Sequence, residues 1–214
     1  MQKKLKDILA PMTTKEKINY IWHYYKVHII ILITVLIVLI TTVNGILNKK
    51  DPAINMMVLG EKVDYNVTET VRGQMNMEFL TEEQQKDYEI VLQPIIYSED
   101  GMDGSGPVGL QKMVAEIAGG FLNILVANQA MYEQMNVENQ LKDINSVVDL
   151  SSYDFDPEEN FYYEGDKVTG IKASAIAILD KIIYDEDAIL YLPGNAKEQE
   201  FTSDFLDYLF TVQQ

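Results

Sequence analysis

Gly104, Gly106 and Gly109 in "GSGPVG" have the G-x-G-x-x-G spacing of a phosphate-binding turn, and they lie between an apolar run and an amphipathic one, as such a turn requires. Their neighbours argue for a surface loop instead. Glu99, Asp100 and Asp103 would repel a pyrophosphate, and Pro107 removes a backbone N–H that would hold it. Asp154, Asp156, Glu158 and Asn160 alternate oxygen ligands as a calcium loop does, yet the sixth-position glycine and the distal glutamate are missing. A solvated acidic loop is the expectation there, and equally for "EDGMDGSG". Tyr162 and Tyr163, followed by Glu164, would serve as an aromatic platform for a ligand or, more simply, pack a loop onto the domain.

The chain has no cysteine, and His23 and His28 are its only histidines. No triad with an imidazole base, no thiolate nucleophile and no soft-metal site can therefore be assembled from residues 29–214. Paired-carboxylate hydrolysis remains chemically open, but with 33 acidic residues any chosen pair is uninformative. The expectation is a protein that is not an enzyme and carries no cofactor and no metal.

Charge divides the chain. Residues 1–50 carry eight Lys against two acidic residues, whereas residues 51–214 carry nine basic against 31 acidic residues. So acidic a region does not bind nucleic acid by neutralising phosphates. Between the two charge regimes, Val27 to Leu47 hold no charged residue and, as a helix, span about 31 Å, enough to cross a bilayer core. Tyr20, Trp22, Tyr24 and Tyr25 sit just before this run, where amphipathic rings favour the headgroup level, and Lys26 can snorkel there. Val43 and Gly45 are small enough for a signal-peptide cleavage site, but both the leader and the apolar run are too long for a signal. Six Lys before the run favour a cytoplasmic N-terminus, with Lys49 and Lys50 weakening the bias. The expected organisation is an amphipathic leader (1–26), a transmembrane helix (27–47), a linker (48–53) and an extracytoplasmic domain (54–214) in the cell membrane.

The elements that would position any site alternate. Thr13 and Glu16 form a capping box ahead of Ile18, Ile21, Trp22 and Tyr25, which share one helical face; that helix runs on into the span. "INMMVLG" (54–60) is a buried strand, and Val67, Val71, Met75 and Phe79 recur as one face of a helix. "YEIVLQPIIY" (88–97) is a strand that Pro94 confines to an edge or a bulge. Leu110, Met113, Val114 and Ile117 mark a second helix, closed by Gly119 and Gly120 as a left-handed cap. "FLNILVA" (121–127) follows as a strand, with a helix from about Asn128. Residues 139–169 are expected to be a long polar crossing loop. Ser174 then caps a helix over "AIAILDKII", "AILYL" (188–192) is a strand, "PGN" a turn, and Phe201, Phe205, Tyr208 and Leu209 the inner face of a last helix. The alternation predicts an α/β fold with a mainly parallel sheet covered by helices on both faces.

"LQKMVAEIAGGFLNILVANQAMYEQM" with "LKDINSVVDL", and later "AILYLPGNAKEQEFTSDFLDYLF", resemble the helix, buried strand and closing elements of a lobe of extracellular solute-binding proteins, a periplasmic-binding-protein-like fold. The leader "APMTTKEKINYIWHYYKVHI" resembles the N-terminus of uncharacterised single-pass membrane proteins of Gram-positive bacteria. The chain departs from the solute-binding family in three ways. About 160 residues suffice for one lobe or a reduced pair, Asn123 stands where an Asp often precedes the buried strand, and a membrane helix replaces the lipid-anchoring cysteine. The anchor, the sheet pattern and the missing catalytic residue types point to a non-catalytic, membrane-anchored extracytoplasmic binding or interaction module beside a transport or envelope complex. Its partners would be the bilayer and a membrane protein. The alternative is a tethered receptor for a small-molecule solute feeding a permease. In open α/β sheets ligands sit beyond the carboxyl ends of the strands, which selects Ser98, Asn128, Tyr191 and Asn195 as ligand or partner candidates.

Overall fold

A computed structural model describes residues 10–47, 49–97, 106–137, 140–197 and 201–212, and the chain divides into two compact units, residues 1–49 and 50–214. The described part of the first unit holds one helix, α1 (Thr14–Leu47), 34 residues long. The expected capping box opens it: the Thr13 N–H and hydroxyl both donate to Glu16 Oε2, each at 2.8 Å. Hydrogen bonding from Thr13 holds the Glu16 carboxyl below its ordinary range. From Thr14 onward the leader and the apolar run are thus one continuous helix. The stretch Thr14–Gly45 is long and apolar enough to cross a membrane. Ile18, Ile21, Val27, Ile30, Ile31, Leu32, Ile33 and the Ile, Leu and Val side chains of residues 35–40 are all exposed. Within it Thr34 and Thr41 turn their hydroxyls onto the Ile30 and Ile37 carbonyls, which removes two unpaired donors from the apolar stretch.

The second unit is built on six strands: β1 (Asp51–Gly60), β2 (Tyr88–Ile96), β3 (Ile124–Ala127), β4 (Phe161–Glu164), β5 (Lys167–Lys172) and β6 (Ile189–Tyr191). Their order is β2-β1-β3-β6-β5-β4. β1 runs parallel to both β2 and β3, and the remaining neighbours are antiparallel. The sheet is therefore mixed, where the alternation of elements predicted a mainly parallel one. The difference arises in residues 139–169, expected to be loop throughout. Residues 161–172 instead form a hairpin turning at Gly165, whose φ of 62° suits a tight turn, and β6 inserts between that hairpin and β3. β1 also begins at Asp51, so the linker is shorter than residues 48–53.

Helices cover both faces, as expected. Strand alternation sends Ile54, Met56, Val58, Ile124, Val126 and Leu190 into one core and Met57, Leu59, Leu125, Ala127 and Ile189 into the other. The first core is closed by α2 (Tyr65–Phe79), through Val71 and Met75, and by the C-terminal helix Thr202–Thr211, through Phe205, Leu206 and Leu209. The second is closed by α3 (Gly106–Ala118) and α4 (Gln129–Met135), through Met113 and Tyr132. The C-terminal helix is α5. The Gly119–Gly120 cap forms as a Schellman motif: the Phe121 N–H reaches Glu116 O, the Gly120 N–H reaches Ile117 O, and Gly120 has φ 68°. β2 is an edge strand, as Pro94 demands. Ser174 does not cap a long helix. It sits in a 3-10 turn (Ala173–Ala175), and only one helical turn follows, Ala177–Asp180, because Ile176, Ile178, Leu179, Ile182 and Ile183 are all drawn into the core.

Two partly buried tyrosines make the fold sensitive to alkali. Burial, and donation to Asp207 Oδ1 at 2.7 Å, push the Tyr153 hydroxyl up to about 12; burial and donation to Glu78 Oε2 raise Tyr208 likewise. Folded pKa values above the unfolded value mean that this stability is fully present below about pH 10 and is lost as the unfolded chain ionises first. Denaturant midpoints of the full chain should hold steady from pH 7 to about 9 and fall between about pH 10 and 12; a midpoint that does not fall there contradicts the assignment.

Candidate functional site

The antiparallel course of β6 separates the residues selected from the carboxyl-end rule. Ile189 pairs with Ala127 and Tyr191 with Leu125, so the chain leaving Tyr191 returns to the amino end of β3. There the Lys197 N–H donates to Gly120 O, and Asn195 donates its side-chain amide to Ile117 O. Asn128 lies at the other end of β3, where it N-caps α4 by accepting from the Met131 N–H at 3.0 Å. Tyr191 is wholly buried, and its ring packs 5.5 Å from that of Tyr132. Burial raises its hydroxyl far above the ordinary tyrosine range. Ser98 lies outside the described residues. Asn128, Tyr191 and Asn195 therefore do not converge: one caps a helix, one is core, and one latches a turn to a helix end.

The other sequence motifs resolve into structure. Gly104 lies outside the described residues, and Gly106 and Gly109 are helical. A Cβ on Gly109 would stand 2.7 Å from Ile95 Cγ2, so this glycine lets α3 approach β2 closely. Gly109→Ala should cost about 1–3 kcal/mol through overpacking, read as a lower thermal midpoint; an unchanged midpoint would show that Ile95 yields freely. In the acidic loop, Asp156 caps the turn Pro157–Asn160 by accepting from the Glu158 N–H, and Asn160 Oδ1 accepts from the Asp156 N–H. Asp143 and Asp149 cap the 3-10 turns Ile144–Ser146 and Leu150–Ser152 in the same way. Among the described residues no three His, Cys, Asp or Glu side chains converge as a metal site would need. Tyr162 packs against Tyr132 at 5.4 Å, while Tyr163 is half exposed on β4.

Polar side chains converge instead at the amino end of β3. Asn55 on β1 and Asn123 form a reciprocal pair: the Asn55 N–H donates to Asn123 Oδ1 at 2.8 Å, and the Asn123 N–H donates to Asn55 O at 2.9 Å. The Asn55 side-chain amide donates to Glu116 Oε2 and to Phe121 O, and its Oδ1 accepts from Gln93 at 2.6 Å. Gln93 also donates to Glu116 Oε2 at 3.0 Å, and Lys112 stands 3.7 Å from Oε1. Because a backbone N–H can only meet an oxygen, this network fixes the rotation of the Asn123 amide. Its Nδ2 faces away from Asn55 and, although Asn123 is only 2% exposed, has no hydrogen-bond partner.

Asn123 lines a recess of about 490 Å³. The segment after the turn at Gln140 brings Lys142, Ser146 and Val147 to it; Leu192, Ala196 and Lys197 come from beyond β6, and Thr202 and Ser203 from the first turn of α5. The Thr202 hydroxyl is also buried without a partner. Ser203 and Ser146 have given their hydroxyl protons to Val147 O and Asp143 O. Lys142 Nζ donates to Ala196 O at 3.0 Å, which occupies one of its three protons, and Lys197 Nζ sits 4.2 Å over the Phe121 ring. No described Asp or Glu lines the recess, although the chain carries a formal net charge of −16. Two lysines, two serine or threonine hydroxyls from the start of α5 and three aliphatic side chains thus share the lining of the recess. Comparison with protein-family models, with curated proteins and with solved structures finds no match to this chain.

Proposed function

We propose that this chain is a single-pass membrane protein whose α/β domain stands outside the cytoplasm and serves as a non-catalytic binding or interaction module beside a transport or envelope complex. One observation carries this reading: an exposed apolar helix long enough to span a bilayer precedes a compact unit whose sequence holds no His and no Cys. Lysines ahead of the helix favour keeping the N-terminus in the cytoplasm. The absence of native cysteine makes the test direct. Single reporter cysteines at Lys15 and at Glu186, probed in intact cells with a membrane-impermeant maleimide, should leave Lys15→Cys unlabelled and label Glu186→Cys. The reverse pattern would overturn the topology. Turnover of a wall or sugar substrate that disappears on mutating one carboxylate would overturn the non-catalytic reading.

A second reading, a tethered solute receptor feeding a permease, is favoured by the recess and its unpartnered Asn123 amide, and by the resemblance to solute-binding proteins. The volume is within the roughly 300–1,000 Å³ of small-molecule sites. A thermal-shift screen of the full chain in detergent against sugars, amino acids, peptides, nucleotides and calcium tests it, since a ligand that binds only the folded state raises the midpoint.

A further inference from the structure

We infer that both edges of the sheet are sealed by asparagine amides, Asn76 on β2 and Asn136 on β4, so that neither a second copy of this chain nor an extended partner segment adds a strand, and the module meets its partners through side chains. An open sheet edge presents a row of unpaired N–H and C=O groups, a ready template for another strand. β2 is the longer of the two edges, with nine residues at one end of the sheet. Along a strand the backbone groups face alternate sides. The Tyr97 N–H donates to Gly60 O at 2.9 Å, toward β1, so Val91, Gln93 and Ile95 share that direction and Tyr88, Ile90, Leu92, Pro94 and Ile96 face outward. Three of these outward positions offer no donor to a new strand. The Tyr88 N–H donates to Gln84 O, the Ile90 N–H donates to Asn76 Oδ1 at 2.9 Å, and Pro94 has no N–H. The Asn76 amide also donates to Ile90 O at 3.4 Å and, from its own helix, to Arg72 O at 2.8 Å. Asn76 thus pairs with Ile90 in both directions, as a residue of a neighbouring strand does.

The far edge is closed by different means and the same residue type. β4 has four residues and carries a register shift between Tyr162 and Tyr163. Facing residues of an antiparallel pair exchange either both backbone bonds or neither. Val168 stands opposite Tyr163 but donates its N–H to Asp143 Oδ1 at 3.2 Å, so the two exchange none and the Tyr163 carbonyl turns outward. There the Asn136 amide donates to it at 3.2 Å. Asn76 belongs to α2, which closes the first core, and Asn136 is the C-cap of α4, which closes the second. Each edge is therefore sealed from the helix packed beside it, and the two seals come from opposite faces of the sheet. On the single-pass reading, copies tethered in one bilayer share a high local concentration, where an open edge would be a standing hazard. The seals themselves do not depend on that reading.

The test uses the full-length chain in detergent micelles, with amide hydrogen exchange read residue by residue and the number of chains per micelle followed by light scattering as the protein is concentrated. In the parent the Ile90 N–H, although on an outer edge, should exchange nearly as slowly as the Val58 N–H of the central strand β1. Asn76→Ala should speed exchange at Ile90 by at least about tenfold relative to Val58. Asn76→Asp keeps the oxygen that accepts from Ile90 and should retain the protection. Asn76→Ala combined with Pro94→Val, which returns a donor to the edge, should carry more chains per micelle than the parent, increasingly so on concentration. The proposal is overturned if Ile90 exchanges in the parent as fast as in Asn76→Ala, or if the double variant, with its thermal transition intact, associates no more than the parent. Should the double variant fail to fold, the two single variants decide: protection lost with alanine and kept with aspartate supports the seal, and equal exchange in both overturns it. Neither readout depends on the maleimide pattern or on a ligand, so failure of the seal and failure of the proposed function are told apart.

Discussion

Phe205→Ala is expected to destabilise the α/β domain by about 3–5 kcal/mol, the usual cost of deleting a buried aromatic ring. Phe205 is fully buried on the inner face of α5 and stands edge-on to Phe79 at 5.1 Å and beside Tyr208 at 5.9 Å. Phe79 closes α2, and Phe201, ahead of α5, packs on Tyr88 at the start of β2 at 5.2 Å. The ring thus joins the C-terminal helix to the first crossover, elements more than a hundred residues apart in the chain. Its loss opens a cavity between two helices held by the sheet and unable to collapse together. For a domain of this size the thermal midpoint should fall by on the order of 10 °C. Phe205→Leu, which keeps much of the volume, should lose less than half as much. Equal losses for the two variants would mean that ring geometry matters more than filled space.

The residues that announced this fold did so locally. Val67, Val71, Met75 and Phe79 recur every four positions, and they form the inner stripe of α2. Gly119 and Gly120 read as a left-handed stop and form one, and Asn128 starts a helix where its side chain can cap. What stayed hidden needed partners distant in sequence. β5, Lys167–Lys172, is covered on both faces and shows no alternation, and its partner β4 carries two tyrosines, a glutamate and a phenylalanine that read as loop. Missing that hairpin hid the antiparallel entry of β6. That direction in turn moved Asn195 to the opposite end of β3 from Asn128. The recess was illegible for a similar reason. Asn123 and Thr202 are ordinary residues in sequence, 79 positions apart, and become unusual only because burial leaves their donors unmatched. Asp143, Asp149 and Asp156 were legible as acidic residues, whereas their spacing ahead of three short turns was the available sign that they cap backbone.

Asn55→Ala should destabilise the domain through the polar cluster at the amino end of β3. The Asn55 side chain is the hub where Gln93, Glu116 and the Phe121 carbonyl meet, and it is 6% exposed. Removing it leaves the Glu116 carboxylate and the Phe121 carbonyl each short of a donor in a largely dry site, for an expected loss of about 2–4 kcal/mol. Gln93 and Glu116 still reach each other, which keeps the loss below that of dismantling the whole cluster. The bond that orients Asn123, however, comes from the Asn55 backbone N–H, which alanine retains. Asn55→Ala should therefore lower the denaturant midpoint through the side-chain cluster alone, whereas Asn123→Asp, which places a second carboxylate oxygen without a donor in a residue only 2% exposed, should lower it through burial of that charge. An unchanged midpoint for Asn55→Ala would show that the Glu116 carboxylate and the Phe121 carbonyl find other donors at no cost once the Asn55 amide is gone.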